Sequence, residues 1–590
     1  MEHKIGREQI LQARETLNRY RQGKANLEER IVENEQWYKL RHWECMRKKK
    51  NDVEPASGWL FNAIANKHAD AMDNIPAANI LPREETDRDE AQLLSCIIPA
   101  VLENCDFEGV YAALWDRKLR GGTGVYGIFW DKTAQGGLGD IAIRSVDVLN
   151  LFWESGVTDI QHSRNLFHVQ LMDDDLLEQE YPALAGKLGS MQADVKQYLY
   201  DDTVDVSGKS AVVDWYYKKG GKLHYCKFCG DEVLFATENE GERGWYDHGL
   251  YPFVFDPLFP TEGTPCGFGY IDVGKSAQAY IDRGNQAILQ NMLANTRPRH
   301  FIRNDGSVNE EEYADLTRDF VHVDGHLGRD SIQPIEGKHL SSIYVEVINN
   351  KIDELKEVTG NRDISTGGTA SGVTAASAIA AMQEAGSKLS RDHNKASYRA
   401  FRKAVVMVIE LIRQFYRLPR IFRITGPGGA ARFVRYSNAR LLPAAQGAEL
   451  GVEMGYRVPV FDVTVTAQRK SPYSRMSQNE MALQFYSAGF FEPARAQQAL
   501  GCLDMMDFDG KDIVMSRIAA AGQRYQQLQA AMARLSGAEL GGNGEETGEK
   551  GKKMAQTGPK GVKVAGSGEK GESHVTRNAR QRVAEATAPT

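Results

Sequence analysis

FGYIDVGKSAQAYIDRGNQAILQNMLANTRPRHFI, residues 268–302, decides the fold. From Asp272 to Asn295 the apolar side chains Val273, Ala277, Tyr280, Ile281, Ile288 and Met292 recur at helical spacing. The run stops at Arg297-Pro298, where a proline cannot continue the helix. Residues 299–337 then carry no long helical period: FIRND (301–305), a short helix about Glu310 to Arg318, and FVHVDGHLG (320–328). A second helix is expected over Ser341 to Val358, with Tyr344, Ile348, Ile352 and Leu355 on one face and Gly360 as a left-handed stop. Two helices around a small mixed insertion thus form the centre of the chain.

Upstream, residues 7–50 read as helix, with Ile10, Ala13, Leu17 and Tyr20 on one stripe, then Leu27, Ile31, Trp37 and Trp43 before a basic end at Arg47 to Lys50. Another helix is expected over Trp59–Met72, with Leu60, Ile64, Lys67, His68 and Ala71 at helical spacing. It stops before Asn74-Ile75-Pro76, because the residue ahead of a proline is biased away from helix. Helices through Leu93, Ile97 and Val101 and through Val110, Leu114 and Leu119 follow. At Arg120 the period changes: GGTGVYGIFWD (121–131) and GGLGDIAIRSVDVLNLFWE (136–154) read as a glycine-punctuated hairpin. VVDWYYKK (212–219), GKLHYCKFC (221–229), EVLFATEN (232–239) and Tyr251–Leu258 read as further strands.

Downstream, NRDISTGGTASG (361–372) has almost no large apolar group to bury and is expected to be a mobile loop. A very long helix is expected from near Thr374 to Pro419, with Phe401, Val405, Val408, Ile412 and Phe415 at alternating steps of four and three. Residues 420–469 return to strand, and two or three helices are expected in Ser474–Leu535. From Ser536 the composition is Gly, Glu, Lys, Thr and Ser, and the tail is expected to be disordered. The class is α+β.

At 590 residues there is room for roughly three or four units of ordinary size. The longest apolar run, Ala404 to Ile409, falls far short of the ~18 residues a bilayer crossing needs, so no membrane span is expected. The charged, helical start MEHKIGREQILQARETLNRY fits neither a secretory signal nor a transit peptide, which leads to the expectation of assembly in the cytoplasm. Seven cysteines, sparse and odd in number, argue for reduced thiols. With a formal net charge of -7, any DNA contact is not expected to be a tight grip on phosphates.

Several motifs match by letter. Gly269-Tyr-Ile-Asp-Val-Gly274-Lys275-Ser276 fits a phosphate-binding loop, yet DPLFPTEGTPCGFG (256–269) before it holds three prolines and no strand directly ahead of the loop. Gly122-Thr-Gly124-Val-Tyr-Gly127 fits the dinucleotide fingerprint in reversed context, with helix before and strand after. Cys226-Lys-Phe-Cys229, beside His224, is half a zinc site, and no second pair exists to complete four ligands unless Cys266 or another subunit contributes. His322, Asp324 and His326 alternate along an expected strand, and Asp173-Asp174-Asp175 suits the positive amino end of a helix. No G-x-S-x-G nucleophile and no paired-carboxylate site stands out, so neither enzymatic activity nor a cofactor is expected. A nucleotide-binding packaging ATPase and a zinc-binding structural adaptor are the competing readings.

The order of elements, and the phrases WLFNAIANKHADAMDNIPAANILPRE (59–84), RGGTGVYGIFWD (120–131), IAIRSVDVLNLFWESGVTDIQHSRNLFHV (141–169) and the opening stretch, resemble the portal, or head-to-tail connector, proteins of tailed phages, particularly the large portals of short-tailed phages. The resemblance covers roughly residues 5–535. It implies amino-terminal helices and a β-rich wing over 1–271, stem helices at 272–296 and 339–359, and a small α/β clip at 297–338. A tunnel loop at 360–373, a long helix with the second part of the wing at 374–473, crown helices at 474–535 and a polar tail at 536–590 complete it. The tail departs from larger relatives, whose crown extends into a helical barrel, and is not expected to build one.

The same resemblance implies a closed ring, usually of twelve, at the portal vertex of the virion, assembled in the bacterial host. Through it the terminase motor drives double-stranded DNA inward, and DNA later leaves. Its implied partners are the terminase large subunit, a head-tail adaptor, the major capsid and scaffolding proteins, and DNA passing without sequence readout. Expected DNA contacts are Asn361, Arg362, Asp363, Ser365, Thr366, Gly367, Gly368, Thr369 and Ser371 in the tunnel loop, with Arg283, Lys351 and Lys356 on the stem. Expected docking residues on the clip are Asp305, Glu310, Glu311, Glu312, Arg318 and Asp319.

Overall fold

The computed structural model describes residues 5–46, 53–188, 208–241, 244–296, 300–302, 309–315, 322, 332–334, 341–360, 388–425, 431–445, 448–449, 452–453, 456–467, 481–506 and 511–539. These fall into two compact units, one up to Ser477 and one from Gln478.

The first unit opens with α1 (Arg7–Tyr38), α2 (Trp59–Met72), β1 (Pro76–Pro82), α3 (Arg88–Asn104) and α4 (Phe107–Gly121). The first helix is shorter than its periodicity suggests. It breaks at Lys39, Leu40 takes a left-handed φ of 59°, and a 3-10 turn over His42–Glu44 folds back so that the His42 ring stacks on Trp37 at 4.4 Å. The basic end at 47–50 lies outside the described residues.

Strands follow as β2 (Thr123–Asp131), β3 (Asp140–Val146), β4 (Leu151–Trp153), β5 (Asn165–Asp173), a short α5 (Asp174–Glu180) with Asp174 and Asp175 in its first turn, β6 (Lys209–Lys219), β7 (Lys222–Cys229), β8 (Glu232–Ala236) and β9 (Phe253–Pro257). The acidic triplet therefore does begin a helix. EVLFATEN is strand only to Ala236, after which Thr237–Glu240 forms a helical turn. One antiparallel sheet has the order β4-β5-β6-β7-β8, and a smaller one the order β3-β2-β9. Alternation along β5, β6 and β7 sends Phe167, Val213 and Cys226 to the face covered by Ile10, Ala13 and Tyr20 of α1.

Next come α6 (Tyr270–Thr296), β10 (His300–Ile302), α7 (Glu310–Ala314), β11 (Ile332–Pro334), α8 (Ile343–Thr359), α9 (Lys388–Phe415), β12 (Arg420–Thr425), β13 (Ala431–Tyr436) and β14 (Phe461–Ala467). The start of the expected long helix, near Thr374, lies outside the described residues. Its later stripe is the core: Phe401, Val405, Val408 and Ile412 are buried against the helices and sheets around them. The unit is closed by an antiparallel ladder between its ends, β1 to β14, in which Pro76 faces Ala467 and Pro82 faces Phe461.

Two buried lysines pin these layers. The Lys118 ammonium of α4 donates to Asp256 Oδ1 of β9 at 2.8 Å, and Ser397 Oγ of α9 donates to Asp256 Oδ2 at 2.6 Å. Burial pushes the Lys118 pKa down and the Asp256 carboxylate pulls it back up. Lys24 of α1 donates to the carbonyls of Val148, Leu149 and Leu151 at 2.6, 3.1 and 2.8 Å. Burial lowers its pKa to about 8, against the opposing effect of Glu28 at 3.5 Å.

The second unit holds a helical stretch over 481–487, α10 (Ala496–Asp504) and α11 (Lys511–Glu539), packed around Phe485, Ala499, Leu503 and Ile518. Helix α11 runs to Glu539, so the polar tail expected from Ser536 is still helical for its first residues. Their Ser, Ala and Glu continue the helix, with only Gly537 against it.

Lys118→Met leaves Asp256 charged and buried without its counter-ion, and is expected to cost about 3–5 kcal/mol in urea unfolding. Lys24 gives a pH signature: with its folded pKa near 8 and its unfolded value near 10.5, the unfolded chain binds more protons between the two. Stability should therefore rise from about pH 8 to about pH 10.5 by on the order of 3 kcal/mol, and Lys24→Met should flatten that rise in unfolding midpoints.

Candidate functional site

Helices α6 and α8 form an antiparallel hairpin, with β10 and β11 pairing at its far end, His300 opposite Pro334. They approach so closely that a Cβ at Gly284 would lie 2.8 Å from Ile348 Cγ1. The absence of a side chain there sets the helix spacing. Further along, the Lys351 ammonium sits 5.4 Å from the Tyr280 ring centre.

The base of the hairpin is fixed by buried polar contacts. Asp282 pairs with His42 at 2.9 Å, both fully buried, and accepts from the Ser57 backbone at 2.9 Å and from its hydroxyl. Gln278 donates to Asp282 at 2.9 Å and to the Ser57 carbonyl at 2.7 Å. The Tyr270 hydroxyl meets His393 Nδ1 at 3.2 Å, tying α6 to α9. Burial beside the Lys118 charge lowers the His393 pKa to about 4, keeping that ring neutral.

Away from this base the hairpin is apolar and exposed. Tyr280, Met292 and Leu293 on α6 are 61, 54 and 51% exposed, and Ile343, Val345 and Val347 on α8 are 57, 55 and 51%. Ile348 and Ile352 turn inward against the core.

Of the charged stem candidates, Arg283 is exposed on α6. Lys351 is engaged within the chain, paired with Glu354 at 2.5 Å, and Lys356 lies 5.8 Å from the Trp59 ring centre. Glu310, Glu311 and Glu312 fall in α7, where Asn309 Oδ1 accepts from the Glu312 backbone at 3.3 Å. Glu310 and Glu311 are exposed, while Glu312 pairs with His322 at 2.8 Å. Asp305, Arg318, Asp319, Asp324 and His326 lie outside the described residues, as do the tunnel-loop candidates 361–371.

Gly360, just before that loop, and Ser390, after the undescribed residues 361–387, are joined by one side chain. Lys67 Nζ of α2 donates to the Gly360 carbonyl at 3.5 Å and to Ser390 Oγ at 3.0 Å, so the chain departs and returns at one point. Gly360 takes its left-handed φ of 64°, as expected of a helix stop. Sequence reading placed Lys67 on a helix stripe without this role, since spacing within α2 carries no sign of Gly360 or Ser390.

The letter-matched motifs are structural. Helix α6 begins at Tyr270, so all four residues between Gly269 and Gly274 are helical and no loop exists to cradle phosphate. A Cβ at Gly274 would strike Leu60 Cδ2 at 2.4 Å, and Lys275 pairs with Glu33 at 3.0 Å. Gly122 is the left-handed cap of α4, with φ 87°, while Gly124 and Gly127 lie in β2. Cys226 and Cys229 stand three apart on β7 and point into different apolar clusters. Burial raises their thiol pKa values to about 12 and about 11, the reverse of a metal-binding thiolate. Among the described residues no group of three or more His, Cys, Asp or Glu is placed to hold a metal ion. No helix among them is long and apolar enough to cross a membrane.

The site is thus a two-helix hairpin, anchored at its base and bearing exposed apolar side chains along its length. The chain belongs to the P22-like phage portal proteins: the family's model, described as Phage P22-like portal protein, matches residues 68–546. Curated proteins returned no match. Membership makes the chain a phage portal protein, a component of the virion capsid that assembles as an oligomer.

Lys275→Ala removes one partly exposed ion pair and is expected to cost less than about 1 kcal/mol. A fluorescent ATP analogue titrated against both proteins should give the same curve; binding lost only in the variant would revive the nucleotide reading.

Proposed function

We propose that this portal protein forms a closed ring, with twelve subunits as the reading the family resemblance favours, enclosing a channel for double-stranded DNA at one capsid vertex. Residues 272–296 and 339–359 serve as the stem and 297–338 as the clip, and 360–373 as the tunnel loop. Residues 1–271 with 374–473 form the amino-terminal helices, long helix and wing, and 474–535 the crown.

The observation that carries this reading is the exposed apolar length of α6 and α8. Side chains such as Ile343, Val345, Val347 and Met292 leave water only when another surface covers them, and each is worth roughly 1.5–3 kcal/mol when fully buried. A ring needs two different complementary faces on each subunit, and a two-helix wall offers them on opposite flanks. Covering apolar flanks between subunits leaves the polar positions for the lumen. With a net charge of -7 and scattered cations such as Arg283, a duplex is centred by weak, screened contacts and slides.

The exposed Glu310 and Glu311 favour the clip as the docking face for the terminase large subunit and later a head-tail adaptor, with the energy for packaging supplied by the terminase. The Lys67 contact with the Gly360 carbonyl favours a loop that leaves the end of α8 at a fixed point toward the DNA, with the Arg362, Ser365, Thr366, Thr369 and Ser371 side chains supplying transient phosphate contacts. Capsid and scaffolding proteins are the further partners, and assembly takes place in the host cytoplasm.

Negative-stain microscopy of the purified chain should show rings with a central hole wide enough for a duplex, and a compact monomer would overturn the reading. Deletion of Ser365–Ser371 should leave rings intact and reduce DNA packaged per particle; normal packaging would remove the loop from the mechanism.

A further inference from the structure

Between α9 and the edge strand β9 lies a groove of about 710 Å³, outside the hairpin. Its floor is apolar, formed by Phe253, Phe255, Pro257, Val406 and Met407, and its rim is basic, formed by Arg399, Arg402 and Lys403 of α9. Lys395 extends the same exposed ridge one turn earlier, giving cations at helical steps of four, three and one. The carboxylates near this rim are Asp159, which accepts from the Gln161 backbone at 3.0 Å, and Asp462, on which Arg402 acts at longer range. Among the described residues Arg399 and Lys403 have no ion-pair partner within 4.0 Å. Val406 is 38% exposed, open to the groove.

An apolar trough bordered by cations fits a helix that presents an apolar side chain between carboxylates. The chain carries such a surface: the last turns of α8 expose Asp353, Glu354, Glu357 and Val358, with Val358 43% exposed. We propose that this groove is the socket for a second copy of the chain, which inserts the carboxyl-terminal half of its α8, Val358 toward the apolar floor and Asp353 and Glu357 toward Arg402 and Lys403. The inference deepens the ring reading and rests on it. It gives a heterologous contact, α8 of one subunit on α9 and β9 of the next, and such contacts close into a ring when the rotation permits. Opposite charges at the rim fix register and direction around the ring, while the apolar trough excludes water.

The test uses the full-length chain, with ring population read by mass photometry and negative stain beside the wild type. Arg402→Glu/Lys403→Glu places two carboxylates against two and is expected to lower the ring fraction at least tenfold, with unchanged thermal unfolding of the monomer since both positions are exposed. Adding Asp353→Lys/Glu357→Lys to the same chain should restore rings. Val406→Glu, which acts on the floor, should also lose rings. Rings from Arg402→Glu/Lys403→Glu at the wild-type level overturn the socket and leave the ring reading standing, the groove then serving another partner. Loss of rings without rescue by the α8 reversal overturns the choice of α8. A wild type that forms no rings overturns both.

Discussion

The contact between Lys118 and Asp256, with Ser397 on the carboxylate's other oxygen, joins α4, β9 and α9 at one buried point. An ion pair taken out of water survives only if its lone pairs and protons are all used. Here the carboxylate is held on both oxygens and the ammonium also lies 4.5 Å from the Trp115 ring centre. The pair costs more to bury than a leucine would, yet it admits one relative placement of three elements. Everything that leaves this junction, including the helix stripe of Phe401, Val405 and Val408 and the start of α6 through Tyr270 and His393, inherits that placement.

Rigidity and exposure divide the hairpin. At its base Gln278 and Ser57 hydrogen-bond Asp282, beside which the buried His42 ring lies at 2.9 Å, so its direction is set from within the subunit. Along its length the same helices expose valine, isoleucine and methionine. A rigid root with an apolar stalk is the arrangement expected of a part that must align repeatedly with identical neighbours without being remade each time.

Much of this was legible in order and period. The stripe of α9, the limits of α2, the strand pairs around Gly136 and Gly230, and the left-handed stop at Gly360 follow from local spacing, and the structure carries them. What was not legible depends on residues far away. Helix α1 ends at Tyr38 because His42 must reach Asp282, and nothing in the run to Lys50 records that. Gly274 looked like a phosphate-loop glycine because letters carry no depth; its purpose is room for Leu60. The cations Lys395, Arg399, Arg402 and Lys403 stand at helical spacing but were not read as a ridge, and the trough beside them is made by Phe253 and Phe255 from another element. The expected DNA contacts at 361–371 fall outside the described residues, and Lys67, which contacts Gly360 and Ser390, had only the look of a helix lysine.

The ladder between β1 and β14 has a temporal consequence. Pro76 must wait for Ala467, and at ribosomal rates of about 5–20 residues per second the interval is roughly 20–80 s. Until then β1 has no partner strand, and the sheet at that end of the unit stays open. A nascent chain therefore completes this ladder only after Ala467 has been made, long after the residues of β1 themselves.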